Sequence, residues 1–414
     1  MEYLDLDFKL SKEDKMLKKN AHEFAKKVMR PIAKELDEMT PAEVIAKDSP
    51  FWDFMQKGYS LGYHSILIPE TYGGMGLTSL QQALIFEELA WGSVGLAVAI
   101  GVASFPAFGA ALVPEEAMIE EVLVPYCENK DASIIGCWGI TEPDHGSDTL
   151  MPFHPCFSDN CIPAQCTAIE EADCYVINGQ KSAWVSNGSI STHCALFCQI
   201  DASMGHAGGG IFAMPLDLPG VKKGAPLNKI GQRDLNQGEI FFDNVRVPKR
   251  FLIAGPEAYE ALLEIVLSTT TAFMGLCGTG VARAAFEEAL AYAKTRVQGG
   301  KYLIEYPTIQ TKLFHMLRKV ETSRLISRNA YMYNQNTSTP AEEYSVMAKI
   351  HGTQAAFDVA NEAVQIFGGN GLTKEYLIEK LFRDARAMLI EDGSNDTLAI
   401  AGGHKIVENY PRRD

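Results

Sequence analysis

Three domains in the order helix, sheet, helix are predicted for this chain: a helical N-terminal domain over 1–130, a central β domain over 131–250 and a C-terminal four-helix bundle over 251–414. Three observations predict it. Residues 10–36 and 51–61 repeat apolar side chains at helical spacing. Between Asp131 and Pro248 that period gives way to short β-like runs broken by Gly, Pro, Asn and Asp. Beyond Pro248 several long helix-compatible stretches return with short connections, the pattern of a bundle.

The 414 residues, 47% of them apolar, are enough for a large core divided among two or three packed units. A net charge of −15 excludes a broad nucleic-acid surface but leaves room for a local basic pocket that takes a phosphorylated ligand. Nine cysteines without a CxxC pair indicate free thiols in a reducing compartment, with neither a disulfide framework nor a zinc cluster. No metal-binding constellation stands out. The acidic start, Glu2, Asp5 and Asp7, is unlike a signal peptide, and the apolar stretches at 94–114 and 262–290 carry too many small or polar residues for a bilayer span. A cytoplasmic protein with no membrane partner is expected.

In chain order, residues 10–36 predict an amphipathic helix started by Ser11 with Glu13 and Asp14 behind it. A second helix follows over 51–61, then a turn-rich connection with Pro69 and Gly73-Gly74, then a helix from Ser79 to Ala90. Val94 to Leu112 is apolar on every side, so it is expected inside the protein or under another subunit. Strands are expected at 133–136, 175–177, 195–200, 210–214 and 238–242. Residues 151–166, with three prolines and three cysteines, predict a loop between strands that serves as plain surface, lid or subunit contact. Helices over 259–295, 312–331 and 342–367 complete the bundle, the first two separated at Pro307.

The stretch 352–403 carries the densest chemistry. Gly368 to Gly371 breaks the preceding helix, and a new one is expected from Tyr376 to Gly393, with Lys380, Arg383, Asp384 and Arg386 on its polar side. Glu391 and Asp392 then fall on its last turn, where the helix dipole does not favour an anion and a compensating contact is expected.

Several segments in one order resemble the acyl-CoA dehydrogenase family of flavoproteins over almost the whole chain. They are PETYGGMGL within 68–78, GITEPDHGSD at 139–148, NGQKSAWVSNG at 178–188, NVRVP at 244–248, YAKTRVQGG at 292–300, and QIFGGNG followed by RDA at 365–385. The chain departs from the family pattern at His145, where a small residue is usual, and at Gly299, where a phenylalanine is. The resemblance implies an acyl-CoA dehydrogenase-like fold with FAD between the β domain, the bundle and a neighbouring subunit. It puts Trp138, Ile140 and Thr141 at the isoalloxazine and its pyrimidine edge, and Trp184, Val185 and Ser186 beside the ring. Arg296, Gln298, Gln365 and Gly369 would reach the diphosphate and adenine of an adjacent subunit's FAD. Ser394 and Asp396 take places that contact the cofactor, and Ser147 that of a contact to the pantetheine of the substrate. An acyl-CoA substrate, an electron-transferring flavoprotein as electron acceptor and a homotetramer are implied as well.

Desaturating an acyl thioester needs a base for the α-proton and a hydride acceptor across the substrate. A carboxylate serves as that base when desolvation raises its pKa. Counted from Arg383, Asp392 takes the position of the family's glutamate base and Glu391 that of the aromatic residue before it. Aspartate is one methylene shorter, so both Asp392 and Glu391 stand as candidates for the base. The alternative base position of some relatives falls on Thr270, and a position where arginine is common falls on Thr271; neither threonine supplies that group. Leu96, Phe105, Phe108 and Phe367 are candidate cavity walls. Three functions keep the fold: a dehydrogenase for an unusual, alicyclic or aromatic-linked acyl group; a nitroalkane-oxidase-like flavin oxidase with Asp392 as base; and a noncatalytic FAD protein.

Overall fold

The computed structural model describes residues 9–151, 154 and 162–410. Most of the loop expected at 151–166 therefore lies outside the described residues. At the N-terminal end, α1 (Lys12–Phe24) runs through a π turn into α2 (Arg30–Glu38) as one rod. Ser11 caps it as expected: its hydroxyl accepts the Asp14 N–H and the Asp14 carboxylate accepts the Ser11 N–H. After the short α3 (Pro41–Val44) come α4 (Pro50–Ser60), α5 (Ser79–Gly92), α6 (Val94–Val102) and α7 (Phe105–Leu112), then the short α8 (Glu116–Met118) and α9 (Val124–Glu128). The uncharged stretch from Val94 folds as α6 and α7, bent by 45°. Every residue of α6 is buried within the chain itself, so no second subunit is needed to cover it.

Among the described residues the central sheet has eight strands: β1 (Gly136–Gly139), β2 (Thr167–Glu170), β3 (Cys174–Ser186), β4 (His193–Gln199), β5 (Gly209–Pro215), β6 (Val221–Lys223), β7 (Gln237–Pro248) and β8 (Leu252–Ala254). Their order is β6-β7-β3-β2-β4-β5-β8, with β1 parallel to β4. The first strand starts at Gly136 rather than Ser133, because Asn129 donates to Asp131 and Ser133 and Ala132 takes a positive φ of 58°. That polar turn consumes the residues expected to be extended. The long β3–β7 pairing is interrupted between Lys181 and Val185. Freed there, the Ser182 N–H bonds instead to Thr141 O at 2.9 Å.

The bundle is α10 (Pro256–Thr295), a hairpin of β9 (Val297–Gln298) and β10 (Lys301–Tyr302), α11 (Pro307–Gln335), α12 (Glu342–Phe367), α13 (Ile378–Met388) and α14 (Asn395–Asn409). Gly275, Gly278 and Gly352 let α10 and α12 approach backbone to backbone; a Cβ on Gly278 would lie 2.5 Å from Gly352. α10 is long and apolar enough to cross a membrane, yet 83% of that window is buried inside the protein. Two expectations need correcting. The helix expected to reach Gly393 ends at Met388, where Ile390 and Glu391 N–H groups both turn back to Ala387 O. A further helix, α14, follows it. The carboxylates therefore sit in the turn between α13 and α14, not on a helical last turn.

One buried charge cluster joins the N-terminal domain to the bundle. Glu87 of α5 receives Arg283 of α10 and Arg324 and Arg328 of α11, each at 3.0 Å. The seven described cysteines are buried and unbridged.

Candidate active site

The turn after α13 is built to hold its carboxylates in a fixed pose. Asp392 adopts a positive φ of 53° and Gly393 one of 90°, a pair of left-handed residues that reverses the chain. Asn395 N–H closes the turn on Leu389 O at 3.0 Å. From α12, the buried Lys349 Nζ donates to Gly393 O at 2.6 Å and to Asn395 Oδ1 at 2.8 Å, and Thr353 exchanges bonds with Asn395. From the β domain, Ser147 Oγ accepts the Ser394 N–H at 2.9 Å. Glu391 accepts a bond from the Gln232 side-chain amide. Five elements thus converge on six residues.

Electrostatics separate the two carboxylates. Burial pushes Asp392 up to about 7, against the downward pull of the Lys349 ammonium and with a further push from Glu391. Its Oδ2 is shielded from solvent and meets no hydrogen-bond partner among the described residues. Glu391 is raised by burial too, but Gln232, Lys349 and Lys229 all work to keep it ionised. Burial lowers Lys349 to about 8. An orphaned carboxylate oxygen with a pKa near neutrality is a proton acceptor in need of a substrate.

The same network continues into the protein. Gln232 N–H bonds to Asp384, Asp384 pairs with Lys380 at 2.6 Å, and Lys380 lies 3.4 Å from the fully buried Asp234. Arg383 pairs with Asp37 and Glu379. The polar side expected for α13 is therefore not a solvated face: Lys380 and Asp384 are buried and tie α13 to the β domain, while Arg383 ties it to α2.

On the β-domain side, the segments singled out from sequence come together. Lys181 Nζ donates to Ile140 O at 3.1 Å and pairs with Glu142 at 2.6 Å, while Ser182 N–H holds Thr141 O. The segment 140–142 is thereby tied to Lys181 and Ser182 of β3, the strand that also carries Trp184, Val185 and Ser186. Val185 is buried, Ser186 Oγ accepts from Gln237 at 3.1 Å, and Trp138 is wedged between Phe105 and Phe197. Trp184 is 58% exposed, pointing a large indole away from the core. An exposed indole offers a flat apolar face on which a planar ring system can lie.

Arg296, Gln298, Gln365 and Gly369 gather at another end of the bundle. Tyr292, which precedes Arg296, stacks on Phe367 at 4.0 Å and accepts from Asn370 at 2.9 Å, drawing the ends of α10 and α12 together. All four residues are exposed. A guanidinium, two amides and an open glycine backbone are a donor set for phosphate oxygens. Sixteen residues of α12 separate Gln365 from Lys349, about 24 Å at 1.5 Å per residue, so this set is remote from its own chain's Asp392. Phe367 belongs to this end and not to the carboxylates; Leu96, Phe105 and Phe108 are core. Ser394 heads α14 without a side-chain cap bond, and Asp396 is exposed in its first turn.

Lys349 and Gln232 escaped sequence reasoning, since a lysine and a glutamine carry no signal of burial. Thr270 and Thr271 are buried, and Thr270 Oγ1 has no partner among the described residues. His145 pairs with Asp148 at 2.9 Å and its ring meets His206 edge-on. A hollow of about 520 Å³ lined by Phe241, Phe242 and Lys222 lies on the β domain and contains none of the candidate residues.

Comparison with known proteins covers nearly the whole chain. Three family models match: Acyl-CoA dehydrogenase, N-terminal domain, over 11–129; middle domain, over 137–245; and C-terminal domain, over 266–404. A probable acyl-CoA dehydrogenase of Bacillus subtilis (strain 168), YngJ, is 31% identical over 94% of this chain and 97% of its own length. Cyclohex-1-ene-1-carbonyl-CoA dehydrogenase of Syntrophus aciditrophicus (strain SB) is 28% identical over 96% of this chain and 91% of its own. The structure of butyryl-CoA dehydrogenase from Megasphaera elsdenii superposes with a TM-score of 0.85 at 27% identity, covering 98% of this chain and all of that one.

Proposed function

The chain belongs to the acyl-CoA dehydrogenase family, and from that premise we propose that it desaturates an acyl-CoA thioester with Asp392 as the base that takes the α-proton. As a member of the family it is an FAD-dependent oxidoreductase. Bound FAD supplies the hydride acceptor; the chain supplies position, burial and the base.

The observation that carries this reading is the orphaned Oδ2 of Asp392, on a carboxylate whose pKa lies near 7. A base poised near the working pH combines a useful ionised fraction with real proton affinity. Lys349 holds the turn through Gly393 O and keeps Asp392 partly ionised. Glu391, already engaged by Gln232, sits beside Asp392 as a second negative charge that raises it, so Glu391 positions and tunes the base. Trp138, Ile140, Thr141, Trp184, Val185 and Ser186 are assigned to the flavin ring, with Ser394 and Asp396 at its edge. Arg296, Gln298, Gln365 and Gly369 are assigned to the diphosphate and adenine of a neighbouring subunit's cofactor, within a homotetramer. Ser147 is assigned to the mouth where pantetheine enters, and an electron-transferring flavoprotein is the expected oxidant.

The substrate proposed is an alicyclic or otherwise unusual acyl thioester. The shorter Asp392 demands that the α-carbon come closer to this wall, and Glu391 replaces an aromatic neighbour; similarity to a cyclohexene-carbonyl-CoA enzyme supports that choice. The test is flavin reduction without oxygen, using straight, branched and cyclic acyl-CoA thioesters. Cyclic thioesters are expected to reduce the wild type fastest, and Asp392→Asn to lose about 10²–10⁴-fold in rate with FAD retained. Reduction by nitroalkanes alone would replace this reading with the oxidase one.

A further inference from the structure

We propose that His145, Asp148 and His206 form a binding site for a divalent transition-metal ion of the zinc type. The three residues come from two loops of the β domain, and the proposal is independent of the reaction assigned above. His145 lies in a turn closed by reciprocal backbone bonds between Glu142 and His145. Asp148 follows in the short turn Ser147–Leu150, and His206 stands in the turn between β4 and β5. Asp148 Oδ2 lies 2.9 Å from His145 Nδ1 and 3.6 Å from His206 Nε2. The ligand atoms of all three lie within 4.8 Å of one another, and the two rings are perpendicular with centroids 4.6 Å apart.

A second observation points to a ligand. The His206 side chain is 4% exposed, and its Nε2 has no hydrogen-bond partner among the described residues although it faces this cluster. A buried imidazole nitrogen is rarely left unsatisfied. Two imidazole nitrogens and one carboxylate oxygen are borderline donors suited to zinc and its neighbours, and poorly suited to calcium or magnesium, which select oxygen. In a tetrahedral zinc site with bonds near 2.0–2.1 Å the ligand atoms stand about 3.3 Å apart, between the 2.9 and 3.6 Å found here. Asp148, one-quarter exposed, marks the solvent side, where water completes the fourth position. Glu142 does not compete, because Lys181 and the N–H groups of Gln165 and Cys166 already occupy its oxygens. Ser147, adjacent to Asp148, receives the Ser394 N–H, so an ion here would stiffen the loop that supports the carboxylate turn.

The test titrates chelator-treated, FAD-loaded protein with Zn²⁺ by equilibrium dialysis, alongside the visible spectrum of added Co²⁺. One Zn²⁺ per chain is expected, with affinity at least 10-fold weaker in His206→Ala and in His145→Ala and unaffected by excess Mg²⁺. A Co²⁺ spectrum of low coordination number in the wild type carries the assignment should either variant fold poorly. The rings of His154 and His404, 4.5 Å apart, provide the control: His404→Ala should leave binding unchanged. No Zn²⁺ bound by the wild type, unaltered affinity in both variants, or loss in His404→Ala alone would overturn the proposal and leave the cluster as a hydrogen-bonded His–Asp pair.

Discussion

Asp392 is set between burial, which drives its pKa up to about 7, and Lys349, which opposes that rise. The rate of flavin reduction at limiting substrate should therefore climb with pH through about 7 as Asp392 ionises, and Asp392→Asn should flatten that limb. Lys349→Met removes the opposing cation, so the limb should move up by about one unit or more; a limb that stays at 7 would show that the titrating group is not Asp392. Stability carries the opposite sign. The folded pKa of Asp392 exceeds its unfolded value of about 3.9, so the folded state holds a proton that the unfolded state releases. Its destabilising contribution grows as pH rises from about 4 to 7 and is complete above that. Asp392→Asn should melt higher than wild type at pH 8 and nearly level with it at pH 4, read by thermal denaturation. Little of this was visible in the sequence beyond the carboxylate itself. Position after Arg383 pointed to Asp392, but Lys349 on a helix reads as a solvated charge until the bundle closes over it.

At the scale of elements, the turn between α13 and α14 works because it is over-determined. A Cβ on Gly393 would stand 2.8 Å from Leu150 Cδ1 and 2.9 Å from Leu398, at a φ of 90°. Gly393→Ala should then lose more than about 1 kcal/mol of stability and most of the activity, with FAD still bound; unchanged kinetics would mean that the turn tolerates movement. Long helices were the legible part: α12 has the limits that its pattern predicted, and Ser11 caps α1 through side chains already adjacent in sequence. The end of α13 was misread because Gly393 looks like a helix stop, whereas the chain leaves the helix five residues earlier through bonds to Ala387 O. α14 was missed since the Gly402-Gly403 pair in its middle lowers its helical signal. β2, β6 and β8 are three or four residues long, too short to show a period, and exist through pairing with distant strands. The His145, Asp148 and His206 cluster had no spacing to betray it, because a sheet crossover brings His206 to the other two.

Across the whole molecule, two kinds of contact join the parts. Inside the chain, Glu87 is buried under three arginines that hold it well below the ordinary carboxylate range. Glu87→Ala leaves those cations facing one another and should cost about 3–5 kcal/mol, measured by denaturant unfolding. Since the folded pKa is depressed, this contribution is present above about pH 4.3 and is lost only as pH falls towards the folded value, so wild type and variant should converge in strong acid. In the homotetramer proposed above, distance divides the cofactor site between chains. Gln365 lies about 24 Å along α12 from Lys349, which holds the turn of Asp392, and Arg296 stands at the Gln365 end of the bundle. A flavin that faces Asp392 across the substrate in one subunit while its diphosphate is held by Arg296 of a neighbour, as proposed, makes a specific demand on mixed oligomers. Arg296→Ala alone should bind FAD weakly and Asp392→Asn alone should bind it without being reduced. Co-expressed, the two variants should form some sites that draw Asp392 from one chain and Arg296 from the other, restoring a measurable fraction of activity. If both residues serve the cofactor of their own chain, every site in the mixture carries one lesion and no activity returns.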